Sequence, residues 1–188
     1  MKKVQVFIVH GFMASPDDHW FNWLKLELAK RDIEADIPLL PDSDAPSAEA
    51  WQQTLSESIN RLDENVFIVA HSLGCISALQ NITQRMNGSQ LGGLLLVAGF
   101  QSKLEMFPQL NPFVETQVAL DTLASNTNSI DVFASPQDPL VPVADTKALA
   151  DKLNAGFHTI ADAGHFLGSD GYTAFPEVLE VLLKQIGK

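Results

Sequence analysis

Val66-Phe67-Ile68-Val69-Ala70-His71-Ser72-Leu73-Gly74-Cys75-Ile76 passes from a β-branched, apolar run, through a serine, straight into a helical pattern. Small residues stand two before and two after the serine, at Ala70 and Gly74. This is the Ala-x-Ser-x-Gly form of the nucleophile elbow, in which a strand turns into a helix at the serine. The bend is so tight that large flanking side chains would collide with backbone across it. It lifts the hydroxyl clear of the sheet edge. It also aims the unbonded amides of the new helix at the same point, where the helix dipole favours negative charge. A serine at such a junction is otherwise commonly an N-cap, so an elbow needs chemical partners elsewhere in the chain.

Working outward, Val4 to Val9 reads as a strand covered on both faces, ending in His10-Gly11-Phe12. Ser15-Pro16-Asp17-Asp18 has the chemistry of a helix start, with Trp20, Trp23, Leu24 and Leu28 following at helical spacing and the tryptophans facing the sheet. A short strand is expected over Ala35–Leu39. Ser47 is expected to cap a helix that runs to about Leu62. After the elbow helix come strands at Gly92–Val97, Ile130–Ala134 and Phe157–Ile160, with helices over Val143–Leu153 and Phe175–Ile186. The stretch 101–128 is the least regular, with one helix expected over Val114–Ala124. Its Phe107, Leu110 and Phe113 either wall an acyl pocket, as a small lid, or only cover the sheet. Strand and helix alternate throughout, which specifies an α/β protein with a mostly or wholly parallel sheet.

A chain of 188 residues suffices for one domain, residues 1–188, and is short for two. A net charge of −11 argues against binding nucleic acid or an anionic membrane through a basic face. Cys75 is the single cysteine, so no intrachain disulfide is possible and a reducing compartment fits. One turn after Ser72, it reads as a small core residue. The run after Met1-Lys2-Lys3 is shorter than a signal-peptide core, and no stretch approaches transmembrane length. A cytoplasmic protein is expected.

In a parallel sheet every strand-to-helix loop emerges at one edge, where ligands bind. His10-Gly11-Phe12, Ser72, Asp138 and His165 each follow a different expected strand. Ser, then Asp, then His is the triad order of α/β-hydrolases. Ser72 is the candidate nucleophile, His165 its base, and Asp138 the group that orients the imidazole. Asp162 and Asp170 compete for the last role but lie close to His165 in sequence. The backbone amides of Phe12 and Leu73 are the candidate oxyanion donors, each worth about 10²–10³ in rate. Gly11 permits close approach of the backbone, and His10 orders that loop. His71 is expected to pack away from the Ser72 hydroxyl, and His19 and His158 to be surface or packing residues without partners. No cluster has metal-ligand spacing and no glycine-rich phosphate loop appears, so no metal or cofactor is implied and a nucleotide-binding domain is disfavoured.

Five segments together resemble the small YdeN-type serine hydrolases, relatives of retinoblastoma-binding protein nine. They are His10-Gly11-Phe12, His19-Trp20-Phe21-Asn22-Trp23-Leu24, Ala70 to Cys75, Ser135 to Pro142 and Gly164-His165-Phe166-Leu167. The likeness runs nearly end to end. It implies a three-layer, reduced α/β-hydrolase fold with six parallel strands in the order 2-1-3-4-5-6 and helices on both faces. It also implies the triad Ser72, Asp138 and His165. Ala70 departs from the glycine usual in the wider superfamily. The expected activity is cleavage of small carboxylic esters through an acyl-enzyme on Ser72, with amides and thioesters open to the same parts. The alternative is an interaction module on a hydrolase scaffold. Physiological substrate and oligomeric state are not legible.

Overall fold

Strands β1 (Gln5–Val9), β2 (Glu34–Asp36), β3 (Val66–His71), β4 (Gly93–Val97), β5 (Ile130–Ala134) and β6 (Gly156–Thr159) form one parallel sheet in the order 2-1-3-4-5-6. The computed structural model describes residues 3–188; Met1 and Lys2, which open the amino-terminal run discussed above, lie outside the described residues. Successive strand residues point to opposite faces, and both faces are covered. Phe7, Val9, Ile68, Ala70, Leu94, Leu96 and Val132 enter one core, together with α2 (Ala48–Ser58), α3 (Leu73–Arg85), α4 (Asn111–Glu115), α5 (Leu120–Ser125) and α6 (Val143–Lys152). Val6, Ile8, Phe67, Val69, Leu95, Val97 and Phe133 enter the other, against α1 (Phe21–Ala29) and α7 (Pro176–Ile186). This is the three-layer α/β-hydrolase arrangement, and it explains why the central strands are apolar without alternation. Among the described residues no helix is long and apolar enough to cross a membrane.

Several local expectations are corrected. Ser15 does not start a helix: its N–H and hydroxyl both bond the Asp18 carboxylate, at 2.7 and 2.8 Å, closing a turn. His19 then takes a left-handed φ of 55°, so α1 begins only at Phe21. Trp20 is fully buried, whereas Trp23 only borders its core. Strand β2 is shorter and earlier than expected, at Glu34–Asp36. Helix α2 is capped by Ser47, whose hydroxyl accepts the Ala50 amide at 3.3 Å, but it stops at Ser58. In place of one helix over Val114–Ala124 there is a 3₁₀ turn at Pro108–Leu110, then α4 and α5. Pro112 sits in the first turn of α4, and extended backbone at Thr116 breaks the run.

Helix α3 is buried from Leu73 through Ile82. Such a helix must satisfy its polar side chains internally. Ser77 donates to the Leu73 carbonyl at 2.9 Å, Asn81 to the Ser56 hydroxyl at 2.8 Å, and Gln80 to the Phe113 carbonyl.

The register sets the site. Strand β1 pairs with β3 from Gln5↔Val66 to Val9↔Ala70, so β1 ends one residue short of the end of β3. The chain leaving β1 therefore crosses the first turn of α3. A Cβ on Gly74 would lie 2.4 Å from the His10 carbonyl oxygen and 2.7 Å from that of Val9. Both obstacles are backbone and cannot swing aside. Gly74→Ala is expected to lower stability by about 1–3 kcal/mol, seen as a fall in Tm of about 2–4 °C per kcal/mol.

Candidate active site

Ser72 has φ 54° and ψ −124°, a conformation that costs a non-glycine residue about 1–3 kcal/mol. Its surroundings enforce it. The Ser72 amide donates to the Val97 carbonyl at 2.8 Å, and its own carbonyl accepts the Cys75 amide at 2.9 Å. The strand is thus held to β4 while the helix starts. Ala70 is fully buried on β3.

His165 and Asp138 converge on this hydroxyl from loops after β6 and β5. His165 Nε2 lies 2.9 Å from Ser72 Oγ, and His165 Nδ1 lies 2.7 Å from Asp138 Oδ2. The other carboxylate oxygen, Oδ1, accepts the amides of Leu140 and Val141 at 2.8 and 3.0 Å. An ionised carboxylate only accepts, so the proton of neutral His165 belongs on Nδ1 and Nε2 is left bare toward the hydroxyl. The Asp138 side chain is only 2% exposed and that of His165 5%. Neither competing acid is the one bonded to the imidazole. Asp170 accepts the amides of His165 and Leu167, at 2.9 and 3.0 Å, and so closes the loop that carries the imidazole. Asp162 is exposed on the approach to that loop.

The loop after β1 forms the opposite wall. A Cβ on Gly11 would come within 3.0 Å of both Ser72 Cβ and the His71 carbonyl oxygen, and 3.4 Å from the Leu73 amide nitrogen. Glycine lets this loop rest on the elbow, beside the Leu73 amide in the first turn of α3. His10 holds the loop in place. The Leu40 amide donates to its Nε2 at 3.0 Å, so the ring proton sits on Nδ1 and bonds the Gly11 carbonyl at 3.0 Å. Burial pushes the His10 pKa down, which keeps the ring neutral in this role.

A cavity of about 240 Å³ opens over Ser72. Phe12, Phe100, Leu104, Phe107, Leu110 and Val141 supply much of its wall. Phe107 and Leu110 thus reach the cavity, but Phe113 does not: it is buried against Trp51, with ring centroids 5.3 Å apart. Trp51 itself donates to the Pro41 carbonyl at 2.8 Å and belongs to the core, as does Trp20.

Two histidines expected to lack partners have them. His19 also lines the cavity, and its Nδ1 accepts the Gly168 amide at 3.0 Å. His158 bonds Asp131 at 2.7 Å and stacks on Phe133. Neither pairing is visible as a motif, because each partner is distant in sequence. His71 is buried at the edge of the same cavity, with its Nε2 2.9 Å from the carbonyl oxygen of His165. Among the described residues no group of three or more His, Cys, Asp and Glu side chains is arranged to hold a metal ion.

The Serine hydrolase family profile matches residues 6–184. YdeN of Bacillus subtilis (strain 168) is 36% identical over 184 residues, covering 98% of this chain and 97% of YdeN. Its crystal structure superposes with a TM-score of 0.95 at 35% identity, over 99% of this chain and 100% of the other. Serine hydrolase RBBP9 of Rattus norvegicus is 24% identical over 165 residues, 87% of this chain and 84% of that protein. Est1E of Butyrivibrio proteoclasticus, in a structure with ferulic acid bound, shares the fold alone: TM-score 0.75 at 14% identity, over 100% of this chain and 91% of that one.

Cys75 lies fully buried behind the elbow, its Sγ 3.3 Å from the Ala70 carbonyl. Burial pushes its thiol pKa well above the usual range, so the nucleophilic thiolate is suppressed. Native protein is expected to resist Ellman's reagent, and one thiol per chain to titrate after denaturation.

Proposed function

The chain belongs to the serine hydrolase family, and on that premise we propose that it cleaves small carboxylic esters through an acyl-enzyme on Ser72. The observation that carries this is the unbroken series Ser72 Oγ, His165 Nε2 at 2.9 Å, His165 Nδ1, Asp138 Oδ2 at 2.7 Å. In the proposed reaction the Ser72 hydroxyl attacks the ester carbonyl and passes its proton to His165. Asp138 stabilises the resulting imidazolium and keeps the ring oriented. The carbonyl oxygen gains negative charge and is met by the amides of Phe12 and Leu73, in keeping with the close seat of Gly11 on the elbow. His165 then protonates the departing alcohol. Water, activated by the same imidazole, releases the acid and restores the serine. The cycle as proposed consumes only the ester and water and asks for no cofactor. Amides and thioesters would follow the same path.

The whole chain, 1–188, acts as one domain in this proposal, with 101–128 as a pocket wall over the sheet. The apolar character of Phe100, Leu104, Phe107 and Leu110 suits an uncharged acyl group. A net charge of −11 and a single cysteine favour a cytoplasmic enzyme that acts on small molecules and not on nucleic acid.

A fluorophosphonate probe is expected to label wild-type protein at Ser72. Ser72→Ala and His165→Ala should abolish labelling and ester turnover with the melting curve preserved, and Asp138→Asn should lower kcat by about 10⁴. Folded wild-type protein that neither labels nor turns over would instead point to an interaction module on the same scaffold. If Asp162→Asn is the crippling change, Asp138 is not the orienting acid.

The cavity of about 240 Å³ is walled largely by apolar side chains, which suits a short acyl chain. Across a series of p-nitrophenyl esters, kcat/KM is expected to peak between butyrate and octanoate and to fall at laurate. Leu104→Trp, which fills the cavity, should move the peak toward acetate.

A further inference from the structure

His71 stands outside the Ser72–His165–Asp138 series yet bonds to a member of it. Its Nε2 lies 2.9 Å from the main-chain carbonyl oxygen of His165. A carbonyl only accepts, so this nitrogen carries the ring proton and Nδ1 is bare. That Nδ1 is buried with no hydrogen-bond partner among the described residues. The ring therefore has a single polar contact, and the proton is committed to it. Ring centroids of His165, Phe21, His19 and Trp20 lie 4.9, 5.8, 5.8 and 6.1 Å away, so the imidazole has little room to turn. Burial pushes the His71 pKa well below its usual value, and a neutral ring does not oppose a charge forming on its neighbour.

The location of this bond distinguishes it from the others that hold the base. The amides of His165 and Leu167 bond Asp170, within their own loop, and Gly168 bonds His19, ahead of α1. The first two shape the loop from within, and the third ties it to the segment before α1, not to the elbow. The His71 bond joins the loop directly to the elbow, because His71 is the residue immediately before Ser72.

We propose that His71 is a positioning residue for the base: its Nε2–H grips the carbonyl of His165 and so sets the imidazole at hydrogen-bonding distance from the Ser72 hydroxyl. This rests on the ester-hydrolase function proposed above. Misplacing reacting groups by about 1 Å costs about 10² in rate, so the effect belongs in kcat.

Three variants separate this from simple packing. His71→Phe and His71→Leu remove the donor but keep an apolar filling. His71→Gln returns an N–H at the same number of bonds from the backbone. With p-nitrophenyl butyrate, kcat is expected to fall about 10²-fold in the Phe and Leu variants, with KM within about three-fold and slower fluorophosphonate labelling. His71→Gln should recover most of the loss. Hydrogen–deuterium exchange of residues 163–170 should quicken in the Phe and Leu variants and not in Gln. If His71→Phe destabilises the fold, the Leu variant decides. Unchanged kcat and exchange in the apolar variants, or a Gln variant as slow as they are, would overturn the proposal. If the wild type itself neither labels nor turns over, the ester function fails, and the exchange comparison still shows whether the bond holds the loop.

Discussion

Everything at the site depends on the seating of one backbone against another where β1 meets the start of α3. The carbonyls of Val9 and His10 approach Gly74 so closely that no side chain fits there, and Gly11 rests on Ser72 itself. Parallel pairing of β1 with β3 makes this contact possible, since the strands end within one residue of each other on the same edge. The consequence is a serine in a left-handed conformation that no local preference would choose. Its strain is borne by the ladder on either side and by the buried helix behind it.

The groups around the serine divide by how they are held. Asp138 is fixed by two amides of its own turn, and His10 by a backbone donor and a backbone acceptor on opposite sides of its ring. The first arrangement is local, whereas the second reaches Leu40 on another loop. His165 differs, because its loop is shaped by Asp170 and then anchored to other parts of the fold through His19 and His71. The imidazole that would move protons is thus carried on a loop with several independent tethers. Gly164 belongs to the same design: its φ of 54° and the Asp170 carboxylate 2.6 Å from where a Cβ would lie both exclude a side chain.

Neutral histidines are a recurrent device here. His10, His19 and His71 all have pKa values lowered chiefly by burial. Each offers one donor and one acceptor in a fixed direction without bringing charge into an apolar cavity. Such rings orient loops at lower desolvation cost than lysine or a carboxylate would.

The sequence by itself determined the sheet, the elbow and the chemical types at the strand ends. Those signals are local: apolar runs such as Val66–Ala70, the small residues at 70 and 74, and loops placed after successive strands. Helix limits were less legible where a side chain from the same turn overrode propensity, as at Ser15 and Asp18, or where Pro112 restarted a helix early. Only the tertiary structure decided which histidines matter to one another. His19 meets Gly168, His71 meets His165 and His158 meets Asp131 across strands and loops far apart in the chain. No periodicity encodes such pairings, because they arise from how elements stack on the finished sheet. Strand order and packing bring those atoms within bonding distance, and a one-dimensional pattern holds no record of that distance.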